Sequence, residues 1–313
     1  MRCIPAKIIE LLIFFWKENN YCNKIELAAL EPLLYRDSGK DIGDICSLIQ
    51  DANLKCSITT NGFCLHKFVN KLTGKVDKVR VSLHSMDRDI YRQIMGYDGY
   101  EQVIRNIKSA VQSGINISIN RVLLKNYTKD LEEQIEFVNH LKINLKLLDL
   151  YYTDDIGNHY EQFYIAPEQV LESFVASGVL KFCEEKSFNR NRRVYSTRDG
   201  GTVEYKLQAD CTNKNDPICL HCSKKNFCLE GYADYLRVFP DGKGTFCYMR
   251  RETDFDIFNE KNKLILEKDN RFYRVPLRLV ITDTCNFNCG FPKATKSWCL
   301  KRFRDFNYLV ERV

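Results

Sequence analysis

From Lys24 to Tyr151 the sequence alternates strand-like and helix-like segments in units of about thirty residues, which restricts the chain to a parallel sheet with right-handed crossovers. The strand-like runs begin at Lys24, Lys55, Val76, Ile115 and Asn144, and helical periodicity separates them at about 42–52, 63–72, 99–113 and 131–141. In the third of these helices Val103, Ile104, Ile107 and Val111 share one face, and Ser113-Gly114 supplies its end. An amphipathic helix over 5–18 precedes the first strand: Pro5 is a favoured first-turn residue, and Ile8, Leu11, Leu12 and Phe15 recur at helical spacing. Its apolar core, Ile8 to Trp16, contains Glu10 and falls well short of the roughly twenty residues a membrane span needs. It is expected to pack on the sheet.

A sixth strand is expected far along the chain. Leu277-Arg-Leu-Val-Ile-Thr is a branched apolar run, read as a strand buried on both faces, and it breaks into a polar loop carrying Cys285 and Cys289. Such a loop delivers two thiolates at a strand's C-terminal edge, where α/β barrels place their chemistry, so a metal or cluster site is expected there.

Cysteine is abundant, at 14 in 313 residues, but no cleavable signal is evident and the spacing is not that of a disulfide framework. Cys219 and Cys222 have the two-residue separation by which one turn offers two thiolates to a metal. Cys228 follows closely, and a hairpin turning at Asp241-Gly242 brings Cys247 back, so these four form a candidate four-thiolate shell for an iron-sulfur cluster or a structural zinc. The remaining single cysteines, Cys46 and Cys56 among them, are expected as small core residues. A net charge of +6 gives no case for nucleic-acid binding; the cluster Arg190, Arg192, Arg193 and Arg198 is expected on a solvated loop within a poorly patterned stretch, 154–210. The localisation expected is cytoplasmic, with no membrane contact.

Leu-Arg-Leu-Val-Ile-Thr-Asp-Thr-Cys-Asn-Phe-Asn-Cys resembles the opening strand and cluster loop of the radical S-adenosylmethionine (radical SAM) superfamily, closest to its GTP 3',8-cyclase branch. Glu31-Pro32 with the following leucines, Thr59-Thr60-Asn61-Gly62 and Val81-Ser82-Leu83 resemble further family words in order. The resemblance implies an α/β fold, a partial (βα)6 TIM-like barrel over 1–155, with a small cysteine-rich C-terminal extension over 156–250 that holds an auxiliary cluster. A tether and the strand with its cluster loop, 251–313, would complete the barrel. It implies a 4Fe-4S cluster on Cys285, Cys289 and Cys299, S-adenosylmethionine (SAM) held with Glu31, Thr59 and Ser82, and a substrate met by Arg278. The substrate would be a small molecule or peptide, and the electron source a reductant such as flavodoxin or ferredoxin.

Several positions depart from the family pattern. Pro292 stands where the loop's third cysteine belongs, and Cys299 comes seven residues later; Ala29 and Leu30 replace a glycine pair that lets backbone approach SAM; Glu26 and Ser118 replace two basic residues that hold GTP's phosphates. A GTP substrate is therefore not expected. The family also places this strand at its N-terminus. A permuted chain, a strand-swapped dimer and a degenerate copy all accommodate its late position. The rival reading is a non-catalytic iron-sulfur or zinc protein that has lost SAM.

Overall fold

The structure is a computed structural model that describes residues 3–28, 30–150, 160–188, 190–206, 215–226, 228, 231–247 and 249–282. Helix α1 (Ala6–Glu18) leads into strand β1 (Lys24–Leu27). A short hairpin, β2 (Arg36–Asp37) and β3 (Lys40–Asp41), then opens helix α2 (Ile42–Asp51), started by a reciprocal capping box between Asp41 and Asp44. Strand β4 (Lys55–Thr60), helix α3 (Val69–Leu72) and strand β5 (Lys78–Ser82) follow. Helix α4 (Arg88–Met95) is capped by the Asp87 carboxylate and ends at Gly96 in the left-handed conformation that glycine tolerates. Then come α5 (Tyr100–Gln112), β6 (Ile117–Val122), α6 (Leu131–Leu141) and β7 (Asn144–Leu148). The later chain adds α7 (Tyr160–Phe163), α8 (Pro167–Ala176), β8 (Lys181–Phe188), β9 (Arg190–Ser196), β10 (Thr202–Lys206), α9 (Pro217–Leu220), β11 (Leu236–Val238), β12 (Lys243–Thr245), β13 (Phe255–Asp256) and β14 (Leu277–Leu279).

Twelve strands join in one sheet in the order β13-β12-β11-β14-β1-β4-β5-β6-β7-β10-β9-β8. The stretch from β11 through β10 is parallel at every step, and antiparallel strands extend it at both ends. The six consecutive strands β14-β1-β4-β5-β6-β7 are the expected parallel βα core.

β14 settles beside β1 of its own chain, with Ile25 opposite Leu277 and Leu27 opposite Leu279. The strand-swapped account is thus not the arrangement seen: the late strand completes its own sheet. Three features hold it there. Ile4 N–H donates to Ile281 O and Ala28 N–H to Leu279 O, each at 3.0 Å. Phe272, 1% exposed, packs on Trp16 and Tyr21 with ring centroids 4.9 and 5.2 Å away. Burying one such ring is worth about 1.5–3 kcal/mol, which ties the segment before β14 to α1.

Two further expectations are corrected. β14 is not buried on both faces, since Arg278 is only partly covered. The supposed basic loop through Arg198 contains strands β8, β9 and β10, and β10 pairs in parallel with β7.

Alternation along the parallel strands decides what the sheet encloses. Ile25, Leu27, Ile58, Val79, Val81, Ile119 and Leu145 point to the helix side and are fully buried. The other face carries Glu26, Ser57, Thr59, Arg80, Ser82, Ser118, Asn120, Lys146 and Glu204. A packed barrel interior is usually filled with branched aliphatic side chains, so this polar face is built for something other than packing.

Candidate active site and cysteine centre

The polar face centres on Glu26, 3% exposed. Arg278 Nη2 and Nε donate to Glu26 Oε2 at 2.7 and 3.1 Å, Lys24 Nζ lies 2.5 Å from Oε1, and Arg80 Nη2 lies 3.6 Å from Oε1. The Arg278 guanidinium also sits 3.7 Å above the Tyr235 ring, a cation–π contact. Burial acts to raise the Glu26 pKa, but Arg278, Arg80 and Lys24 together hold it well below the usual carboxylate range. Arg278, singled out in the sequence for substrate, therefore already has two protein partners.

Glu31 lies just beyond β1 and is fully buried. Its carboxylate accepts from Thr60 Oγ1 at 2.6 Å, Asn61 N at 2.8 Å and Leu33 N at 3.1 Å, so it clamps the loop after β1 onto the end of β4. Burial pushes its pKa up to about 7 against these three donors. Next to it, Leu30 has φ +48°, the left-handed region, and is exposed. The loop keeps a backbone that suits glycine although the residue is leucine.

Thr59 and Ser82 lie on the polar face towards the C-terminal ends of β4 and β5, Thr59 beside Arg80 and Ser82 beside Asn120. Asn120 is 8% exposed, and its Oδ1 has no hydrogen-bond partner among the described residues, a buried acceptor left for a ligand. Sequence reasoning passed over Asn120; its signal was a polar residue at alternate positions in the otherwise apolar run Ile117-Ser-Ile-Asn-Arg-Val.

The loop after β5 is anchored from the helix side. Arg121, fully buried, pairs with Asp130 at 2.7 Å and donates to Gln134 Oε1 at 3.0 Å, while Asp130 also accepts from Ser85 Oγ at 2.7 Å. His84 Nδ1 accepts from Val122 N–H at 3.2 Å, which leaves the ring proton on Nε2. Burial, with Arg121 nearby, lowers its pKa from 6.5 to about 4. Such a histidine contributes stability that is present above pH 6.5 and lost as the pH falls towards 4, about 3 kcal/mol if fully realised. We expect His84→Asn, whose carboxamide oxygen can keep the Val122 bond, to flatten this part of the urea-stability profile. Parallel profiles for the two proteins would refute the assignment.

The second centre lies between α9 and β12. Cys219, Cys222, Cys228 and Cys247 line one cavity together with Lys224, Lys225, Gly231 and Arg250. The turn at Asp241-Gly242 does return the chain, with Gly242 at φ +83°, and Cys228 Sγ accepts from Gly231 N–H at 3.2 Å. Burial raises the Cys219 thiol to about 11 and also raises Cys247. Among the described residues no group of three or more His, Cys, Asp or Glu side chains is placed to hold a metal ion. Cys285, Cys289, Cys299 and Pro292 lie outside the described residues. Cys46 and Cys56, expected singly, form a buried pair with sulfurs 3.6 Å apart.

Residues 4–138 match the sequence profile of the radical SAM superfamily. Members of it use a 4Fe-4S cluster and SAM.

By sequence the chain is similar to probable GTP 3',8-cyclases. It is 28% identical to that of Methanococcus aeolicus over 256 residues, covering 81% of this chain and 77% of the relative. It is 29% identical to that of Methanosarcina mazei over 257 residues, covering 78% and 67%. Among solved structures, SuiB of Streptococcus suis bound to SAM superposes with TM-score 0.54 at 17% identity, over 87% of this chain and 60% of SuiB. The anSMEcpe protein with bound SAM gives 0.52 at 14% identity, over 84% and 70%. These likenesses support the α/β fold. No described helix is long and apolar enough to cross a membrane.

Proposed function

We propose that this chain is a SAM-using radical enzyme with two iron-sulfur centres and a substrate cavity on the polar face of its sheet. The observation that carries the reading is the placement of β14. It lies parallel to β1, so the chain leaves Thr282, three residues before Cys285, on the same sheet edge as Ala28, Glu31 and Ser82. Cys285 and Cys289, with Cys299 in place of the residue lost at Pro292, would hold the first cluster. Cys219, Cys222, Cys228 and Cys247, which line one cavity, would hold the second.

When bound, the first cluster and SAM supply a 5'-deoxyadenosyl radical that abstracts hydrogen from substrate. The protein's own work is positional. Glu31 fixes the loop that must face SAM, Thr59, Ser82 and Asn120 offer polar groups at the strand ends, and the parallel sheet walls the interior from bulk water. A small-molecule or peptide substrate would lie on the Glu26 face, with electrons from a flavodoxin- or ferredoxin-like donor.

Anaerobic reconstitution with iron and sulfide, followed by iron counting and EPR of the reduced protein with and without SAM, tests this reading. Two clusters per chain and a SAM-dependent spectrum are expected. One cluster and no response would overturn the enzyme reading.

One observation favours a second reading, an iron-sulfur protein without SAM: Leu30 occupies the glycine-like turn. A left-handed leucine costs about 1–2 kcal/mol and glycine about 0.5–1 in chain entropy, so Leu30→Gly should change stability by no more than about 1.5 kcal/mol. On the enzyme reading it should tighten SAM binding at least tenfold, scored by the SAM concentration that half-converts the EPR signal. An unchanged midpoint would show that Leu30 does not obstruct the site.

A further inference from the structure

His84 has no part in the function proposed above, yet its ring stands at the C-terminal end of the sheet. Ser82 and His84 alternate towards the polar face, with Leu83 between them fully buried in the helix-side core. A continued parallel ladder would give the Val122 N–H to the Leu83 carbonyl. That carbonyl instead accepts from Gln134 Nε2 at 2.8 Å, and the His84 ring takes the Val122 N–H. Ser82 is level with Asn120 of β6, two residues before Val122, so His84 and Asn120 are diagonal neighbours on adjacent strands.

The bond from Val122 fixes the ring as a donor. Protonating Nδ1 would set two N–H groups against each other, and burial, with Arg121 nearby, keeps the imidazole uncharged at neutral pH. Its Nε2–H has no hydrogen-bond partner among the described residues, and the ring is only half-buried. Asn120 is the complement: its Oδ1 is an enclosed acceptor with no partner among the described residues. The ionisable groups beside the pair are Arg121, spent on Asp130 and Gln134, and Lys146, level with Asn120, whose pKa burial holds well below the usual amine value.

An anion would satisfy His84 but face the Asn120 oxygen, and a cation would face the imidazole N–H; only a ligand with both an acceptor and a donor meets the two. We propose that His84 Nε2–H and Asn120 Oδ1 together hold an uncharged edge that presents an acceptor beside an N–H. A residue of an extended peptide or a carboxamide in the substrate offers such an edge, and so does the adenine of SAM, whose amino group lies beside a ring nitrogen. This rests on the reading of the polar face as the ligand cavity.

Acetylglycine methylamide, adenosine and acetate are the probes, titrated calorimetrically into the reconstituted protein. A neutral probe is expected to bind and acetate is not. His84→Asn, which keeps the Val122 bond but withdraws the Nε2 donor, should weaken the neutral probe roughly tenfold, and Asn120→Leu similarly. His84→Gln, whose amide nitrogen can stand where Nε2 stood, should bind within about threefold of the wild type, a recovery that a merely structural role would not give. Binding of the methylamide assigns the edge to a substrate amide and binding of adenosine assigns it to SAM; if both bind, the probe weakened by the substitutions is the one assigned. Binding of neither, acetate binding in preference to both, or wild-type affinity in His84→Asn and Asn120→Leu overturns the proposal. If His84→Asn does not fold, Asn120→Leu decides by the same criterion. SAM-dependent EPR of the wild type reads the enzyme assignment separately, so either can fail alone.

Discussion

Glu26→Gln is expected to destabilise the protein by about 3–5 kcal/mol, because removing the anion from a buried ion cluster leaves its cations uncompensated. Three cations converge on this one carboxylate, and two of them come from strands other than β1. The sign of the pH dependence follows from the depressed folded pKa. The contribution is full above the unfolded value of 4.5 and is lost as pH falls through the lower folded value, so wild type and variant should converge in acid. Urea midpoints across that range measure it. A loss below about 1 kcal/mol at neutral pH would mean that water, not Glu26, neutralises Arg278 and Lys24. A double-mutant cycle with Arg278→Met separates the pair from its surroundings and is expected to show strong coupling.

The second large effect concerns the thiols. Replacing Cys219 and Cys247 by serine removes two of the four sulfurs lining the cavity, and reconstituted protein should then lose one whole cluster of iron. The SAM-dependent EPR change should survive, since the proposed function places it at the loop after β14. Iron content equal to the wild type would exclude these four residues as ligands. Zinc in stoichiometric amount, removed by the same substitutions, would reassign the centre as structural metal.

Much of this was legible without coordinates. The βα repeat showed itself because helix and strand periodicities are local, and each crossover unit carries its own cap or turn: Asp41 before α2, Asp87 before α4, Gly96 after it. The grouping of the four thiols around one cavity was legible for the same reason, the cysteine spacing being written in one short turn and one hairpin. Asn120 and Lys146 were harder to see, because polar residues inside parallel strands read as interruptions of an apolar run until it is known which face they share. The basic stretch around Arg192 read as loop, since charge outweighed a two-residue alternation in a segment with no apolar counterpart.

The chain's own order of residues determined a parallel α/β sheet, a strand with a cysteine loop near its far end and a second group of thiols. Which strand that late segment would join was decided only by tertiary structure. The Glu26–Arg278 contact spans 252 residues, and no local pattern can specify a register closed over such a loop. It was set instead by Phe272 packing on Trp16 and by the backbone bonds from Ile4 and Ala28, interactions that exist only once the sheet has formed.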